Sequence, residues 1–303
     1  MGTALRSASR PADEVFQLAE DVTGLPLRTL CDEGPLADLT RTSVAQVAVV
    51  AVSLAAAAYL EELLGRPPRF GAVAGHSVGE LAAYCCAGAL DVESTLHLVH
   101  RRGQLMERDA EDVDGTMVAV LNLDPARLAR ICVEAGERTG AGVEVANLNA
   151  PGQTVLSGAR AAIAVASEMA TAAGARRVIP LAVGGPFHSQ YMEAAAADFK
   201  QAVSDVSFRT PHTPIVLNTT AEPTTDVEAL RDELPRQITS PVRWEESIRT
   251  LARMGCLTFV ELGSGQVLSG LARRILPEGQ VVTAGVPDAV VAVADLFTQV
   301  ASH

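Results

Sequence analysis

An α/β fold with a smaller unit inserted into a larger one is predicted by three features of this chain. The first is a short apolar run, Phe70-Gly71-Ala72-Val73-Ala74, which ends in Gly75-His76-Ser77-Val78-Gly79-Glu80 and opens onto the helical pattern Leu81-Ala82-Ala83-Tyr84. A strand, a sharp Gly-x-Ser-x-Gly turn and a helix make a nucleophile elbow, in which the serine is lifted onto a strained turn. The second is the order strand, helix, strand, strand, helix, strand over residues 116–183. The third is the return of apolar, strand-like runs beyond that segment, at Ile215-Val216-Leu217 and Thr258-Phe259-Val260.

Each element has a local reason. Residues 12–64 read as mainly helical, with Val15, Leu18, Ala19 and Val22 at a period of 3.6 and breaks at Gly24-Leu25-Pro26 and Gly34-Pro35. The almost wholly apolar stretch Val47 to Leu60 is too short for a membrane span and is followed at once by Glu61 and Glu62, so it reads as a buried helix. Gly65-Arg66-Pro67-Pro68 stops that helix before the strand that feeds the elbow. Gly75 and Gly79 are both expected to be required sterically, because neighbours of a serine on a tight turn have no room for a Cβ. A helix starts at Val78 and another spans roughly Val92 to Ala110.

In the middle segment, strands are predicted at Thr116–Leu123, Val143–Leu148, Thr154–Ser157 and Arg177–Val183, and helices at Pro125–Gly136 and Ala159–Gly174. That order is the signature of a ferredoxin-like unit. Val281-Val282 is a weaker third strand after Ile215 and Thr258. The expected architecture is an α/β-hydrolase-like core with a parallel sheet plus an inserted ferredoxin-like subdomain. Residues 1–110 and 191–303 would form the larger, discontinuous domain and residues 111–190 the smaller.

Composition narrows the class. The chain of 303 residues is 48% hydrophobic and 20% charged, in the range of a globular enzyme and outside that of a disordered segment. Its five cysteines include the adjacent Cys85 and Cys86 and form no disulfide framework or metal-ligand spacing. Cys31, Cys132 and Cys256 read as small buried residues, a usage that fits a reducing cytoplasm. No apolar signal region stands at the N-terminus. A net charge of −12 argues against nucleic acid as a partner. Neither a metal nor a cofactor is expected.

Ser77 is the candidate nucleophile, and a serine hydroxyl needs a base within hydrogen-bond reach. Of six histidines, His76 lies inside the elbow, pointing away from the serine face. His97 and His100 share a helix, His212 sits between prolines, and His303 is terminal. His188 follows Pro186-Phe187 directly after a strand end, where loop-borne catalytic groups tend to lie. No Asp or Glu stands out as the acid that would complete a triad. The helix after the elbow donates free N–H groups toward anything bonded to Ser77 Oγ, the first of them from Val78. On the following helix, Arg102 offers a planar fork able to pair bidentately with a carboxylate.

Several segments fall in a family pattern. They are Gly75 to Glu80; Arg102-Gly103 with Met106; Gly185-Pro186-Phe187-His188-Ser189 with Met192; and Ser240-Pro241-Val242-Arg243-Trp244 after Gln237. Asn147 to Gln153 and Glu261-Leu262-Gly263-Ser264-Gly265 are further landmarks. From about residue 11 to about residue 275 the chain resembles the malonyl-CoA:acyl carrier protein transacylases, including the free-standing acyltransferases that serve polyketide synthases. The resemblance implies a malonyl group carried from malonyl-CoA to a carrier-protein phosphopantetheine thiol through a malonyl-Ser77 ester. His188 would be the base, held by the backbone carbonyl of Gln237 in place of an acid. Arg102 would bind the malonyl carboxylate, and Phe187 would favour malonyl over methylmalonyl by bulk. Malonyl-CoA and an acyl carrier protein are the implied partners, with no nucleic acid, no membrane and a monomeric state expected. Because such carriers are acidic and this chain is too, docking would need a local basic patch. Arg176-Arg177 and Arg273-Arg274 are the doublets available.

The resemblance also implies a strand and a Gly-Gln-Gly-Ser-Gln segment that supplies a second oxyanion donor, and Met1-Gly2 aligns just after it. The sequence as it stands is therefore expected to lack one strand of the sheet and half of the oxyanion hole, leaving Val78 N–H. A start codon placed too far downstream is the first explanation, and a naturally short, weakly active chain the second. Gln46 could lend a substitute donor, although nothing in its surroundings in the sequence points to that role. The alternatives are a serine thioesterase or hydrolase, which would place an acid between Ser and His and would not require Arg102, and a non-catalytic acyltransferase-like subunit.

Overall fold

The computed structural model describes residues 1–300 and has an α/β fold with mixed sheets. Helices Thr3–Ala8, Arg10–Thr23, Leu27–Asp32, Leu36–Leu39 and Thr42–Leu64 precede the first strand. The longest of these, Thr42–Leu64, is the hub of the main core. Its buried face (Val47, Ala48, Val50, Ala51, Leu54, Ala55 and Leu60 among others) packs against helices Arg10–Thr23, Val92–Glu111 and Pro287–Val300. By length and composition alone this helix could cross a membrane, but most of its apolar surface is turned into the protein. Small residues let the neighbours approach. At Gly103 a Cβ would lie 2.9 Å from the Ser43 Cα, so glycine is what permits helix Val92–Glu111 to sit this close to helix Thr42–Leu64.

The inserted segment forms the β-α-β-β-α-β order read from its pattern, with strands Gly115–Leu121, Val143–Ala150, Gln153–Ala159 and Arg177–Pro180 and helices Pro125–Thr139 and Arg160–Ala172. Its four strands are antiparallel neighbours, with Gln153–Ala159 and Gly115–Leu121 in the middle, Val143–Ala150 on one edge and Arg177–Pro180 on the other. The helices bury Leu128, Ile131, Ala135, Ala162, Ile163 and Ala166 against Val118, Val120 and Leu156, a core separate from the main one. Asp124 caps the first helix by accepting from Arg127 N–H at 2.9 Å, and Pro125 at its first position needs no donor.

The remaining strands depart from the single parallel sheet that was expected. Val73–Ala74 pairs in parallel with Ile215–Val216, which pairs antiparallel with Pro223–Thr224. Thr258–Leu262 and Gln280–Ala284 form a second, two-stranded parallel sheet. No ladder joins the two sheets among the described residues. They are related by packing instead, since Val73, Val260, Leu262 and Val282 all lean on the same hydrophobic cluster. The four-stranded sheet of the inserted segment is tied to the rest by a parallel bridge on strand Val143–Ala150, in which Val242 N–H donates to Ala146 O and Leu148 N–H to Val242 O, both at 2.9 Å. All five cysteines are free thiols.

Candidate active site

The elbow follows strand Val73–Ala74 and runs into helix Gly79–Cys86, which begins one residue later than its pattern suggests. Ser77 has φ of 52° and His188 of 58°, both in the left-handed region that a non-glycine residue occupies only when its surroundings hold it there, at a cost of order 1–3 kcal/mol. The two glycines of the turn are not equivalent. A Cβ on Gly75 would sit 1.9 Å from Gly79 O, whereas one on Gly79 would meet open space. The expectation that both are sterically required therefore holds for Gly75 and fails for Gly79. The close approach is between the two backbones, and only Gly75 points its missing side chain into it.

His188 leaves the small unit just after strand Arg177–Pro180 and reaches across to the elbow. Its Nε2 lies 2.7 Å from Ser77 Oγ, and its Nδ1 lies 2.9 Å from the main-chain carbonyl of Gln237. With Nδ1–H donating to that carbonyl, Nε2 is the lone pair that faces the hydroxyl. Among the described residues no carboxylate touches the ring. Burial first, and then the nearby Arg102 charge, push the His188 pKa down to about 3, with the Gln237 and Ser240 backbone acting in the opposite sense. The imidazole is neutral at physiological pH, the state a base requires.

Arg102, buried on helix Val92–Glu111, points its guanidinium at the same hydroxyl. Nη2 donates to Ser77 Oγ at 3.2 Å and to Gln237 Oε1 at 2.9 Å, and Nη1 to Gln46 Oε1 at 2.6 Å. Among the described residues no carboxylate lies within ion-pair distance of it. Burial lowers its pKa to about 10, with Glu80 opposing, which still leaves it cationic at neutral pH. A buried cation with only neutral acceptors is costly unless an anion completes it. Gly103 lets the two helices close enough for Arg102 and Gln46 to meet. Gln46 is thereby engaged as an acceptor for Arg102, its Nε2 lying 3.5 Å from the Met106 sulfur, and not as a donor to an oxyanion.

The other predicted site residues take these positions. Val78 N–H, at the head of the elbow helix, donates to no protein group among the described residues. Phe187 is half-buried and packs its ring beside the buried Met117, Ala119, Ala146 and Val155, on the face of the four-stranded sheet away from its two helices. Gln237 lies inside helix Val227–Ile238, buried, and meets Ser77, His188 and Arg102 at once. His76 turns away from Ser77, as expected. Its Nε2 meets Asn149 Oδ1 at 2.8 Å, and its ring lies edge-on to Trp244. His97, His100 and His212 are elsewhere, and His303 lies outside the described residues.

Two participants escaped the sequence reading. Glu80, although quoted in the motif, is fully buried beneath the elbow, where its carboxyl accepts from Asn218 N–H at 2.9 Å and from Gln237 Nε2 at 2.5 Å. Burial, and then Glu233 nearby, raise its pKa well above the usual carboxylate range. Asn218 follows strand Ile215–Val216. A polar residue at the carboxyl end of a core strand beside the elbow was the signal that could have found it.

A family model described as the acyl transferase domain matches residues 1–292. The chain belongs to this family. A malonyl CoA-acyl carrier protein transacylase of Bacillus subtilis (strain 168) is 37% identical over 275 residues, covering 91% of this acyl transferase and 86% of the relative. The solved structure of the malonyl CoA-acyl carrier protein transacylase from Coxiella burnetii superposes with a TM-score of 0.93 at 32% identity, over 98% of this chain and 93% of that one. A malonyl-transacylase solved in complex with its type II polyketide synthase acyl-carrier protein gives a TM-score of 0.93 at 32% identity, over 98% and 94%.

Proposed function

We propose that the protein carries a malonyl group from malonyl-CoA to the phosphopantetheine thiol of an acyl carrier protein, for fatty acid or polyketide synthesis. The observation that carries this reading is Arg102, a buried guanidinium with no carboxylate partner among the described residues, 3.2 Å from the hydroxyl that His188 is positioned to activate. A nucleophile beside an unpaired fixed cation suits an acyl group bearing a carboxylate at its far end. Malonyl is the short acyl group of that kind.

The steps follow from the geometry. Ser77 Oγ attacks the thioester carbonyl as its proton passes to His188 Nε2, and the oxyanion so formed is stabilised by Val78 N–H. The C–S bond then breaks, and the coenzyme A thiolate takes the proton from His188, leaving a malonyl-serine ester. The carrier thiol next loses its proton to His188 and attacks the ester carbonyl. The C–O bond breaks, and Ser77 recovers its proton. Arg102 holds the carboxylate through both halves, and Phe187 crowds the malonyl α-carbon. A methyl there is worth about 1–3 kcal/mol of discrimination.

Carrier docking is assigned to the two arginine doublets, which lie far apart in sequence but share one end of the small sheet. Arg274 donates to Gln153 Oε1 and to Pro151 O, Gln153 pairs with Leu121, and Leu121 pairs with Arg177. All four arginines are exposed, which makes this a basic corner on a chain of net charge −12. The inserted unit, residues 111–190, is read as ferredoxin-like on its strand order. Residues 1–110 and 191–303 are read as the α/β-hydrolase-like part on the strand, elbow and helix at Ser77. Five free thiols suit a cytoplasmic setting.

A hydrolase reading is less well supported, because His188 Nδ1 faces a carbonyl and not an acid. The test is intact mass after brief exposure to malonyl-CoA or acetyl-CoA, with Ser77→Ala alongside. A malonyl adduct on the unmodified chain alone is expected. Rapid release of free malonate without transfer to a carrier would favour the hydrolase, and no adduct a non-catalytic subunit.

A further inference from the structure

The elbow is strained, yet nothing in the six residues of its motif explains what holds Ser77 from outside the turn. Within the turn, Gly79 N–H donates to His76 O and Glu80 N–H to Ser77 O, both part of the helix start. The strand that precedes the elbow pairs with Ile215–Val216 only as far as Ala74, because beyond that residue the chain turns away. At the point where this ladder ends, the side chain of Asn218 takes it over. Its Nδ2 donates to Gly75 O at 2.7 Å and its Oδ1 accepts from Ser77 N–H at 2.8 Å. One planar amide thus offers a donor and an acceptor side by side, as a neighbouring strand would.

Asn218 is itself fixed on every side. It is fully buried, its N–H donates to Glu80 Oε1 at 2.9 Å, and its carbonyl accepts from Arg243 N–H at 2.9 Å. Glu80 also accepts from Gln237 Nε2, and that nitrogen donates to Ser77 O at 2.8 Å. The N–H and the carbonyl of Ser77 are therefore held by the side-chain amides of Asn218 and Gln237, and one buried carboxyl accepts from the main chain of the first and the side chain of the second.

We infer that Asn218 is a positioning residue for the nucleophile: its side-chain amide continues the sheet ladder across the turn and fixes the direction in which Ser77 Oγ faces His188 and the acyl carbonyl. The inference rests on Ser77 being the nucleophile. It predicts an effect on the chemical step and little on thioester binding, since Asn218 touches neither Arg102 nor the surface. An error of about 1 Å in a reacting group costs on the order of 10²-fold in rate.

Two variants test it by single-turnover acylation with malonyl-CoA, with the unmodified chain as reference. Asn218→Ala removes both contacts with the elbow backbone and a longer one, 3.4 Å, from Gln237 Nε2. A fall of the acylation rate of about tenfold or more, with the concentration for half-saturation unchanged within about threefold, is expected. Asn218→Asp keeps the acceptor for Ser77 N–H and puts an oxygen opposite Gly75 O, which can donate only when protonated. The ionisable groups facing that position are Glu80 from the elbow helix and Glu233 from helix Val227–Ile238, with Arg102 beyond Gln237 and His188 beyond Ser77. The activity of Asn218→Asp relative to the unmodified chain is expected to rise as pH falls from 8 to 5.5, a recovery that loss of folding alone would not produce. A rate within twofold of the reference for Asn218→Ala, or for Asn218→Asp at pH 8, a loss confined to half-saturation, or a flat Asp-to-reference ratio across pH overturns the inference. Absence of an acyl-serine on the unmodified chain would instead overturn the reading of Ser77.

Discussion

Replacing Arg102 with alanine isolates the contribution of the acyl carboxylate, because acetyl-CoA offers the same thioester without it. The guanidinium is buried, held by Gln46 Oε1 and Gln237 Oε1, and has no carboxylate partner among the described residues. A malonyl carboxylate would meet it in a site from which water is largely excluded. Removing one member of such a buried pair costs about 3–5 kcal/mol, or roughly 150- to 5,000-fold in kcat/KM for malonyl transfer. The same change also removes the 3.2 Å contact with Ser77 Oγ and the positive charge beside His188, effects that bear on both thioesters. The acetyl arm measures that common part. Rates of acyl-serine formation, followed by quenched intact mass with malonyl-CoA and acetyl-CoA, give the ratio directly. Arg102→Ala is expected to lose malonyl transfer over that range while acetyl transfer changes about tenfold or less. An equal loss with both substrates would mean that Arg102 shapes the nucleophile and does not read the carboxylate, and the reasoning would fail.

His188 has a folded pKa pushed down to about 3, so the unfolded chain takes up a proton near pH 6.5 that the folded chain refuses. Its contribution to stability is therefore intact above pH 6.5 and diminishes as pH falls toward 3, and urea unfolding of His188→Gln at pH 4.5 and 7 is expected to show a shallower acid loss than the unmodified chain. Gly75→Ala forces a Cβ to within 1.9 Å of Gly79 O and is expected to abolish acylation and lower Tm, whereas Gly79→Ala is expected to leave Tm unchanged or slightly raised. Calorimetry of the pair checks the asymmetry. Reversing charge at Arg274 or Arg177 is expected to raise KM for an acidic carrier protein several-fold, most strongly at low salt, with malonyl-serine formation unaffected. Transfer assays at two ionic strengths measure this.

Much of the site could be read from short runs of residues, because the chemistry demanded particular neighbours. Gly75 to Glu80 marks a strand, turn and helix whatever the rest of the chain does, and Ser77 and His188 meet although 111 residues separate them. The β-α-β-β-α-β order was legible because its helices and strands carry different periods, down to Leu128, Ile131 and Ala135 on one helix face. Gln46, Asn218 and Glu80 were not legible as partners. Each acquires its role from contact between elements remote in sequence, and a lone amide or carboxyl in an apolar segment looks the same whether it is bonded or not. The two-sheet arrangement was hidden for a related reason. Ladder pairing depends on which strands lie side by side, and apolar runs such as Thr258–Leu262 specify burial but not a neighbour. Gln237 carried only part of its meaning, since its main-chain contact with His188 was implied by resemblance while its side-chain contacts with Ser77, Glu80 and Arg102 depend on the helix that buries it.

The missing acid beside His188 has a consequence for when the enzyme can act. A carbonyl orients the imidazole but carries no net charge to stabilise it once protonated, and the Arg102 cation discourages that proton further. An imidazole so placed is a weak base, and a stray water molecule would gain little help from it. A carboxylate seated on Arg102 cancels the opposing charge and lets the same imidazole accept a proton more readily. Under the proposed function, the acyl group would bring with it the anion that other serine enzymes build in as an aspartate. Reactivity would then rise with occupancy by the right substrate and subside once it leaves.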